Sequence, residues 1–272
     1  MSEEDRATGL IDERVEILSN EGVAPSIYHM ALMAPQIASR VQPGQFIHLE
    51  IPRFEGHVLR RPFSVYQWDD ERKTLEILYQ AVGSGSGRLA CARWGDVTRA
   101  IGPIGHGWSP QTGVRRAVLV CGGMGVAPLT MLAEQLVSSG AQVDCLLGAT
   151  TAERLVGIQA LEEIGAAVHI CTDDGSAGHA GFCTELIGDY APNADYMAVC
   201  GPGPMEAAAA SAVETARPGW ADDPAFRFEV SMERRMACGV GACLSCVVDT
   251  VEGKRRACVD GPVFEASEVV WR

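Results

Sequence analysis

Short segments in which apolar and polar residues alternate dominate the first hundred residues of the chain. Gly, Pro and Asp interrupt them, which is typical of β-strands joined by turns. The alternation predicts six strands, at Glu13–Ser19, Ser26–Met33, Gln45–Ile51, Phe63–Trp68, Thr74–Val82 and Asp96–Ile101. In this region only Gly87–Trp94 has the pattern of a short helix. Six short strands at this spacing predict an antiparallel β-barrel.

From about Arg115 the pattern changes to buried strands that alternate with helices. Apolar runs predict strands at Ala117–Cys121, Val143–Leu147, Val168–Cys171 and Tyr196–Cys200. Helical periodicity predicts helices at Pro128–Ser138, Ala152–Ile164 and Met205–Ala216, and Gly181–Gly188 continues the alternation. An alternation of this length predicts a doubly wound parallel sheet of the α/β class, which binds ligands outside the carboxyl ends of its strands.

The chain of 272 residues is long enough for two domains and a small third. Its hydrophobic fraction of 47% is ample for packed cores. We expect a barrel domain at residues 1–110 and an α/β domain at residues 111–225. The remainder, residues 226–272, has neither pattern and is expected to form a small domain rich in cysteine.

The net charge of −13 argues against nucleic acid as a partner, because neutralising phosphates needs clustered Lys and Arg. No apolar run approaches the roughly 18 residues of a membrane span, and the N-terminus lacks the layout of a signal peptide. We therefore expect a cytoplasmic protein with no membrane association. In that compartment its ten cysteines should be thiols or metal ligands rather than disulfides.

Four cysteines crowd into the short segment from Cys238 to Cys258, with Cys243 and Cys246 between them. The spacing C-x4-C-x2-C followed by a distal Cys is the plant-type pattern of a 2Fe-2S cluster. Glycines between the cysteines would let the backbone approach the bridging sulfides. A four-cysteine zinc site and unligated core thiols are the alternatives, although zinc sites favour two C-x2-C pairs and this segment has one.

The remaining six cysteines are scattered, and each is expected to be a buried small apolar side chain. They are Cys91, Cys121, Cys145, Cys171, Cys183 and Cys200.

Two segments of the predicted barrel carry groups suited to a flavin. The first is Arg61, Pro62, Phe63 and Ser64, and the second is Leu78, Tyr79 and Gln80 followed by a turn with Gly85 and Ser86. An Arg fork suits phosphate, and a glycine-rich turn at a helix start is an anion site. For the first segment alone, the alternative is an exposed Arg on the barrel rim. For the second segment alone, the alternative is a flexible loop. Together, on a barrel, they predict bound FAD.

A glycine turn between the strand at Ala117–Cys121 and the next helix contains Gly122, Gly123 and Gly125. It lacks the G-x-G-x-x-G fingerprint, but its glycines would let a pyrophosphate approach the helix start. A tight turn without a ligand is the alternative.

Cys200, Gly201 and Pro202 end another strand and should face the same crevice. Arg154 is the one basic residue near this site, which favours NADH over NADPH, and Asp173 is expected in a plain turn.

In this order, Arg61–Ser64, Gly122–Pro128 and Cys200–Met205 resemble the ferredoxin–NADP reductase superfamily. The tail, with its four cysteines, resembles the electron-transfer subunits of NAD-dependent class B dihydroorotate dehydrogenases. The resemblance implies FAD bound by the two barrel segments, one 2Fe-2S cluster on the four cysteines, and NAD(H). Gln80 stands where that family usually has Arg, and Ser86 where Thr is common. Gln80 would weaken one expected contact with phosphate, whereas Ser86 keeps the hydroxyl group that Thr would supply.

The resemblance also implies a partner, an FMN-containing dihydroorotate dehydrogenase subunit, in a heterotetramer that serves pyrimidine synthesis. We expect no catalytic residue beyond the cofactors, since the chain shows no nucleophile–base constellation. Electrons would pass from the FMN of the partner through the cluster and FAD to NAD⁺. The alternatives are a related NAD(P)H–ferredoxin or sulfide oxidoreductase subunit and, from another class, a zinc-binding sensor without catalytic activity.

Overall fold

The computed structural model describes residues 9–54, 56 and 58–271. Its first part is a closed antiparallel barrel with the strand order β1-β2-β5-β4-β3-β6. The six strands are β1 (Ile11–Ala24), β2 (Ile27–Met33), β3 (Phe46–Leu49), β4 (Arg61–Asp69), β5 (Thr74–Gln80) and β6 (Val97–Ile104). Alternate side chains such as Ile17, Leu32 and Ile77 fill the interior, because successive residues of a strand point to opposite faces. The predicted barrel is confirmed.

Two short helices lie between barrel strands, α1 (Pro35–Ala38) and α2 (Ser84–Leu89). The predicted helix Gly87–Trp94 is wrong in its limits, and α1 was not predicted. Helix α2 begins inside the glycine-rich run because the Ser86 hydroxyl accepts hydrogen bonds from two preceding backbone amides, at 3.0 and 3.2 Å. The run predicted as a turn is therefore the helix itself.

A seven-stranded sheet follows, with the order β10-β9-β8-β7-β11-β12-β15. Its strands are β7 (Arg116–Gly122), β8 (Gln142–Ala149), β9 (Ala167–Thr172), β10 (His179–Ala180), β11 (Tyr196–Cys200), β12 (Arg227–Ser231) and β15 (Val263–Glu265). Neighbouring strands are parallel except for β12 and β15. The main helices of this sheet are α3 (Val126–Ser138) and α6 (Gly203–Ala216). The predicted parallel sheet is confirmed.

The predicted helix Ala152–Ile164 is wrong in its first half. Residues 152–154 form a single 3₁₀ turn, and α4 (Ile158–Ile164) begins only after Gly157. Gly157 has φ +81°, a left-handed conformation that interrupts a helix. The predicted segment Gly181–Gly188 is divided between a 3₁₀ turn at residues 183–186 and α5 (Ile187–Tyr190).

The C-terminal stretch packs directly on this sheet. Strands β12 and β15 extend the sheet edge, and the hairpin β13 (Val247–Thr250) and β14 (Gly253–Arg256) lies between them in the chain. Cys246 and Cys258 share an apolar cluster with Val199 of β11. The division of the chain into three domains, with boundaries after residues 110 and 225, stays a prediction. Its outer limits, residues 1 and 272, lie outside the described residues. Among residues 9–54, 56 and 58–271, none of the helices combines the length with the apolar character of a membrane span.

Candidate functional site

Arg61 of β4 lies against the first turn of α2. A Cβ built on Gly85 would come 2.8 Å from its Nε and 3.2 Å from its Cζ, so the guanidinium lies in direct contact with the glycine backbone. Nη1 donates to the Leu59 carbonyl oxygen at 2.7 Å, which orients the group. Backbone amides at a helix start and an Arg fork both favour an anion. The structure thus brings the two predicted flavin segments together around a candidate phosphate site.

The aromatic residues of these segments face the barrel interior. Phe63 and Tyr79 have ring centroids 5.5 Å apart, and Tyr79 stacks on Tyr28 at 5.4 Å. The Tyr79 hydroxyl donates to Asn20 Oδ1 at 2.8 Å, and burial raises its pKa. The Tyr79 side chain is therefore held by barrel residues. Any contact of Tyr79 with a flavin would be made by its backbone.

The neighbours of Tyr79 on β5 point the other way. Leu78 is buried in the apolar cluster that also contains Val126 and Cys200, and Gln80 lines a cavity at the sheet. On β4, Ser64 pairs with Phe46 and Pro62 pairs with His48. Directly paired residues of two strands share a face, so Pro62 and Ser64 lie on the outer face of the barrel.

A cavity of about 590 Å³ extends along the carboxyl ends of β7, β8, β9 and β11. This is the edge at which an open α/β sheet binds its ligand. The predicted residues among its lining are Gln80, Gly122, Gly123, Gly125, Gly201 and Pro202. Segments that are eighty residues apart in the chain thus meet in one crevice, as their positions at strand ends predict.

Cys200 supports the floor of this crevice without lining it. A Cβ on Gly125 would come 1.9 Å from the Cys200 carbonyl oxygen, so the glycine turn after β7 packs directly on the end of β11. Burial raises the pKa of the Cys200 thiol well above its ordinary value. The thiol is fully buried and neutral at physiological pH.

The two ends of the cavity differ in chemistry. At the β8–β9 end lie Thr150, Arg154 and Asp173. The Asp173 amide donates to the Ala149 carbonyl at 3.1 Å, which joins the ends of the two strands. Asp173, expected in a plain turn, therefore also belongs to the cavity wall. At the other end, the wall is formed by Gln80 of the barrel and by Glu233.

Glu206 and Glu233 form an acidic pair behind this second end. Glu206, in the first turns of α6, is 1% exposed, and no side chain of the described residues hydrogen-bonds its carboxyl oxygens, although the Gly201 backbone amide lies near enough to oppose the rise of its pKa. Burial and the charge of Glu233 raise the pKa of Glu206 to about 8, against the opposing effect of Arg234. Desolvation also raises the pKa of Glu233. Glu206 is thus protonated at neutral pH.

The four clustered cysteines are arranged as two pairs. The sulfurs of Cys246 and Cys258 are 3.3 Å apart, and Cys238 and Cys243 are hydrogen-bonded to each other. Burial opposes ionisation of the Cys238 thiol, but backbone amides, with that of Val240 at 3.4 Å, lower its pKa to about 7. Thiolates and close amides are what an iron–sulfur cluster needs, so the residues present fit a 2Fe-2S group.

The backbone of the loop that carries these cysteines depends on glycine. Gly239 and Gly241 have φ of +70° and +81°, in the left-handed region that favours glycine. Burial and the neighbouring Cys246 raise the pKa of Cys258 to about 12, while the Gly241 backbone opposes the rise. Among the described residues no set of three or more His, Cys, Asp or Glu surrounds one metal position.

None of the ten cysteines forms a disulfide, which agrees with the expectation of thiols or metal ligands. Of the six scattered ones, five are buried, and Cys91 is exposed, so the prediction was wrong for Cys91. Cys91 lies just after α2, at the barrel surface, where no apolar layer covers it.

Sequence reasoning missed several residues that the structure places at these sites, namely His48, Phe182, Thr184, Glu206 and Glu233. A lone His in the apolar strand Phe46–Leu49 was the one available signal for His48. The other four residues come after the ends of strands. The order of strands in the sheet decides which of these strand ends lie together, and the sequence does not show that order.

The chain resembles known proteins over nearly its whole length. Residues 233–270 match the iron-sulfur cluster binding domain of dihydroorotate dehydrogenase B. The electron transfer subunit of dihydroorotate dehydrogenase B (NAD(+)) from Shouchella clausii (strain KSM-K16) is 38% identical over 263 residues, 94% of this chain and 97% of that protein. The same subunit from Geobacillus sp. (strain WCH70) is 36% identical over 264 residues, 95% of this chain and 98% of that protein.

Among solved structures, one of an NADH-dependent reduced ferredoxin-NADP oxidoreductase superposes with a TM-score of 0.81 at 26% identity, covering 94% of this chain and 89% of the other. The barrel, the parallel sheet and the crevice at its carboxyl edge define a flavin-dependent oxidoreductase of the ferredoxin reductase class. The chain belongs to the family of dihydroorotate dehydrogenase B (NAD(+)) electron transfer subunits. The predicted resemblance is confirmed.

Proposed function

We propose that this chain carries electrons from the FMN of a partner dihydroorotate dehydrogenase subunit, through a 2Fe-2S cluster and FAD that it binds, to NAD⁺ in pyrimidine (UMP) biosynthesis. One observation carries the proposal. The nucleotide cavity is bounded by Gln80, which follows the flavin segment Leu78–Tyr79, and by Glu233, five residues before Cys238. The wall of the candidate nucleotide cavity therefore contains the end of the flavin segment and the start of the chain that leads to the cysteine loop.

We assign the residues as follows. Arg61 with the α2 turn at Gly85 and Ser86 would hold the FAD pyrophosphate, and Pro62 to Ser64 with Leu78 to Gln80 would hold the flavin side. Gly122, Gly123, Gly125, Gly201 and Pro202 would receive NAD(H), with Cys200 beneath them. Cys238, Cys243, Cys246 and Cys258 would ligate the cluster. Bound FAD would exchange electron pairs with nicotinamide and single electrons with the cluster.

The side chains of this protein bind and orient rather than react. Arg61 neutralises phosphate charge, and the Gly125–Cys200 contact lets the dinucleotide approach the start of α3. The protonated Glu206 limits the negative charge at the flavin end of the cavity. Dihydroorotate oxidation is assigned to the partner, in a heterotetramer with two copies of each subunit. Ten cysteines without a disulfide among them support a cytoplasmic location.

The test is co-expression of the chain with an FMN-containing dihydroorotate dehydrogenase subunit from the same genome. The purified complex should reduce NAD⁺ when dihydroorotate is added, and the chain alone should not. The chain alone should contain FAD, iron and acid-labile sulfide. A folded chain prepared without oxygen that holds zinc, and neither iron nor sulfide, would contradict the proposal and support the sensor alternative.

A second candidate is a subunit that exchanges electrons with ferredoxin. The superposition on a ferredoxin-NADP oxidoreductase favours it, since the two folds coincide over most of both chains. Reduced ferredoxin and dihydroorotate should therefore be compared as electron donors to NAD⁺. The dehydrogenase assignment requires that dihydroorotate, in the presence of the partner, be the faster donor.

A further inference from the structure

His48 is a buried histidine between the barrel and the cysteine loop. It is 1% exposed, although it stands in a strand whose neighbours Ile47 and Leu49 are packed inside the barrel. Because strand residues alternate, its ring lies on the outer face of the barrel. Its pairing partner on β4 is Pro62, one residue after the candidate phosphate-binding Arg61.

The ring contacts the cysteine loop at two places. The backbone of Cys238 lies within reach of a ring N–H, and Nε2 has no hydrogen-bond partner among the described residues, so Nδ1 is the nitrogen that faces the loop. A Cβ on Gly239 would come 2.8 Å from Nδ1. One imidazole thus touches the barrel face next to the flavin segment and the first cysteine of the loop.

We propose that His48 is a positioning residue that sets how residues 238–243 lie against the flavin-binding face and thereby tunes the 2Fe-2S cluster. The inference rests on the proposed function, since it takes the four cysteines as cluster ligands. The ring lies against the Cys238–Gly239 peptide, one residue before Val240, whose amide donates to the Cys238 sulfur at 3.4 Å. Outer contacts of this kind orient metal ligands and control their affinity.

The unpartnered Nε2 gives the same residue a second connection. With Nδ1 as the donor, Nε2 is an acceptor, and buried acceptors are almost always paired. The outer face of β3 and β4 is where Ser64 and Pro62 lie, so a donor from the bound flavin or an ordered water belongs at this position. His48 would then connect the cysteine loop with the outer face of β3 and β4.

The experiment compares His48→Leu with His48→Asn in the complete chain, reconstituted without oxygen. Asn places its amide near the position of Nδ1, whereas Leu removes both polar atoms. We expect His48→Leu to change the g-values of the reduced cluster in EPR spectra, to shift its potential, and to release iron to a chelator about tenfold faster. His48→Asn should restore the g-values and the slow iron release.

Gly239→Ala tests the same contact from the other side, because its Cβ would displace the ring. Gly253→Ala is the matched control, since Gly253 also has positive φ, +114°, but nothing lies within 4 Å of its Cβ. Gly239→Ala should reproduce the altered EPR spectrum, and Gly253→Ala should not. If His48→Leu and Gly239→Ala keep the native spectrum, potential and iron release, the inference is wrong. Absence of iron and sulfide in the unmodified chain would instead contradict the proposed function.

Discussion

The α-carbon of Gly125 lies so close to Cys200 that a methyl group there would come 1.9 Å from the Cys200 carbonyl oxygen. The contact joins the turn after β7 to the end of β11, the two elements that frame the nucleotide cavity. Because the Cys200 carbonyl belongs to the backbone, no side-chain movement can relieve a clash with a methyl group at residue 125.

Gly125→Ala should therefore destroy NADH binding, because the turn must move away from β11. We expect the dissociation constant for NADH to rise by about 100-fold, which corresponds to about 2.7 kcal/mol of lost binding free energy. Fluorescence titration with NADH measures it. Gly203→Ala is the control, since a Cβ there meets nothing within 4 Å. Equal affinities in the two variants would contradict this role.

Arg61→Ala should weaken FAD binding. Loss of a charge-assisted phosphate contact costs about 2 kcal/mol, which corresponds to roughly 30-fold in the dissociation constant. Arg60→Ala is the matched control, because Arg60 instead pairs with Asp12 at 3.1 Å. Equilibrium dialysis of FAD from each variant measures the effect. The phosphate assignment fails if removing Arg60 releases FAD as readily as removing Arg61.

Cys258→Ser should abolish the cluster. It removes one thiolate of the Cys246–Cys258 pair, so one iron would keep only a single thiolate ligand from the protein. Iron and acid-labile sulfide should fall to a small fraction of the native content, while FAD remains. Cys91→Ser, which changes an exposed cysteine outside the loop, should keep both. Colorimetric iron and sulfide determination on the two variants decides between the iron–sulfur site and unligated thiols.

Asp173→Asn should reduce the preference for NADH. Asp173 lines the cavity at the end opposite the flavin segment, where its carboxylate would repel a 2′-phosphate and accept from a ribose hydroxyl. We expect the ratio of kcat/KM for NADH over NADPH to fall by about tenfold. Asp174→Asn is the control, because the Asp174 side chain accepts from Ser176 at 2.6 Å. A ratio that moves only in the Asp174 variant would refute the assignment.

Glu206→Gln should stabilise the protein at alkaline pH. The folded-state pKa of Glu206, about 8, lies above the ordinary carboxyl value of 4.5, so the folded state binds the extra proton between these values. The free energy of unfolding of the native protein therefore falls as pH rises through this window. The advantage of Gln should grow by about 3 kcal/mol between about pH 5.5 and pH 8.5, since each pH unit below the folded pKa corresponds to about 1.4 kcal/mol.

Urea unfolding at the two pH values measures this difference. Glu214→Gln, an exposed position on α6, should show no such dependence. An advantage of Glu206→Gln that does not change with pH would mean that Glu206 is ionised in the folded protein.

Much of this architecture follows from local sequence. Alternation of apolar residues predicted all six barrel strands, because a strand buried on one face must repeat with a period of two residues. Tyr196–Cys200 was predicted with its observed limits. The helix limits near Gly85 and Gly157 were wrong, since a hydroxyl bond from Ser86 and a left-handed glycine, rather than periodicity, decide where those helices begin.

The sequence by itself determined the family, through short motifs whose spacing is set by the cofactor chemistry: the Arg61–Ser64 segment, the glycine turn before α3 and the spacing from Cys238 to Cys258. Only the tertiary structure decided that the charge of Glu233 acts on Glu206, that Asp173 enters the cavity and that His48 lies against Gly239. Each of these contacts joins residues distant in the chain. Strand order and register create such contacts, and no local pattern of polar and apolar residues encodes them.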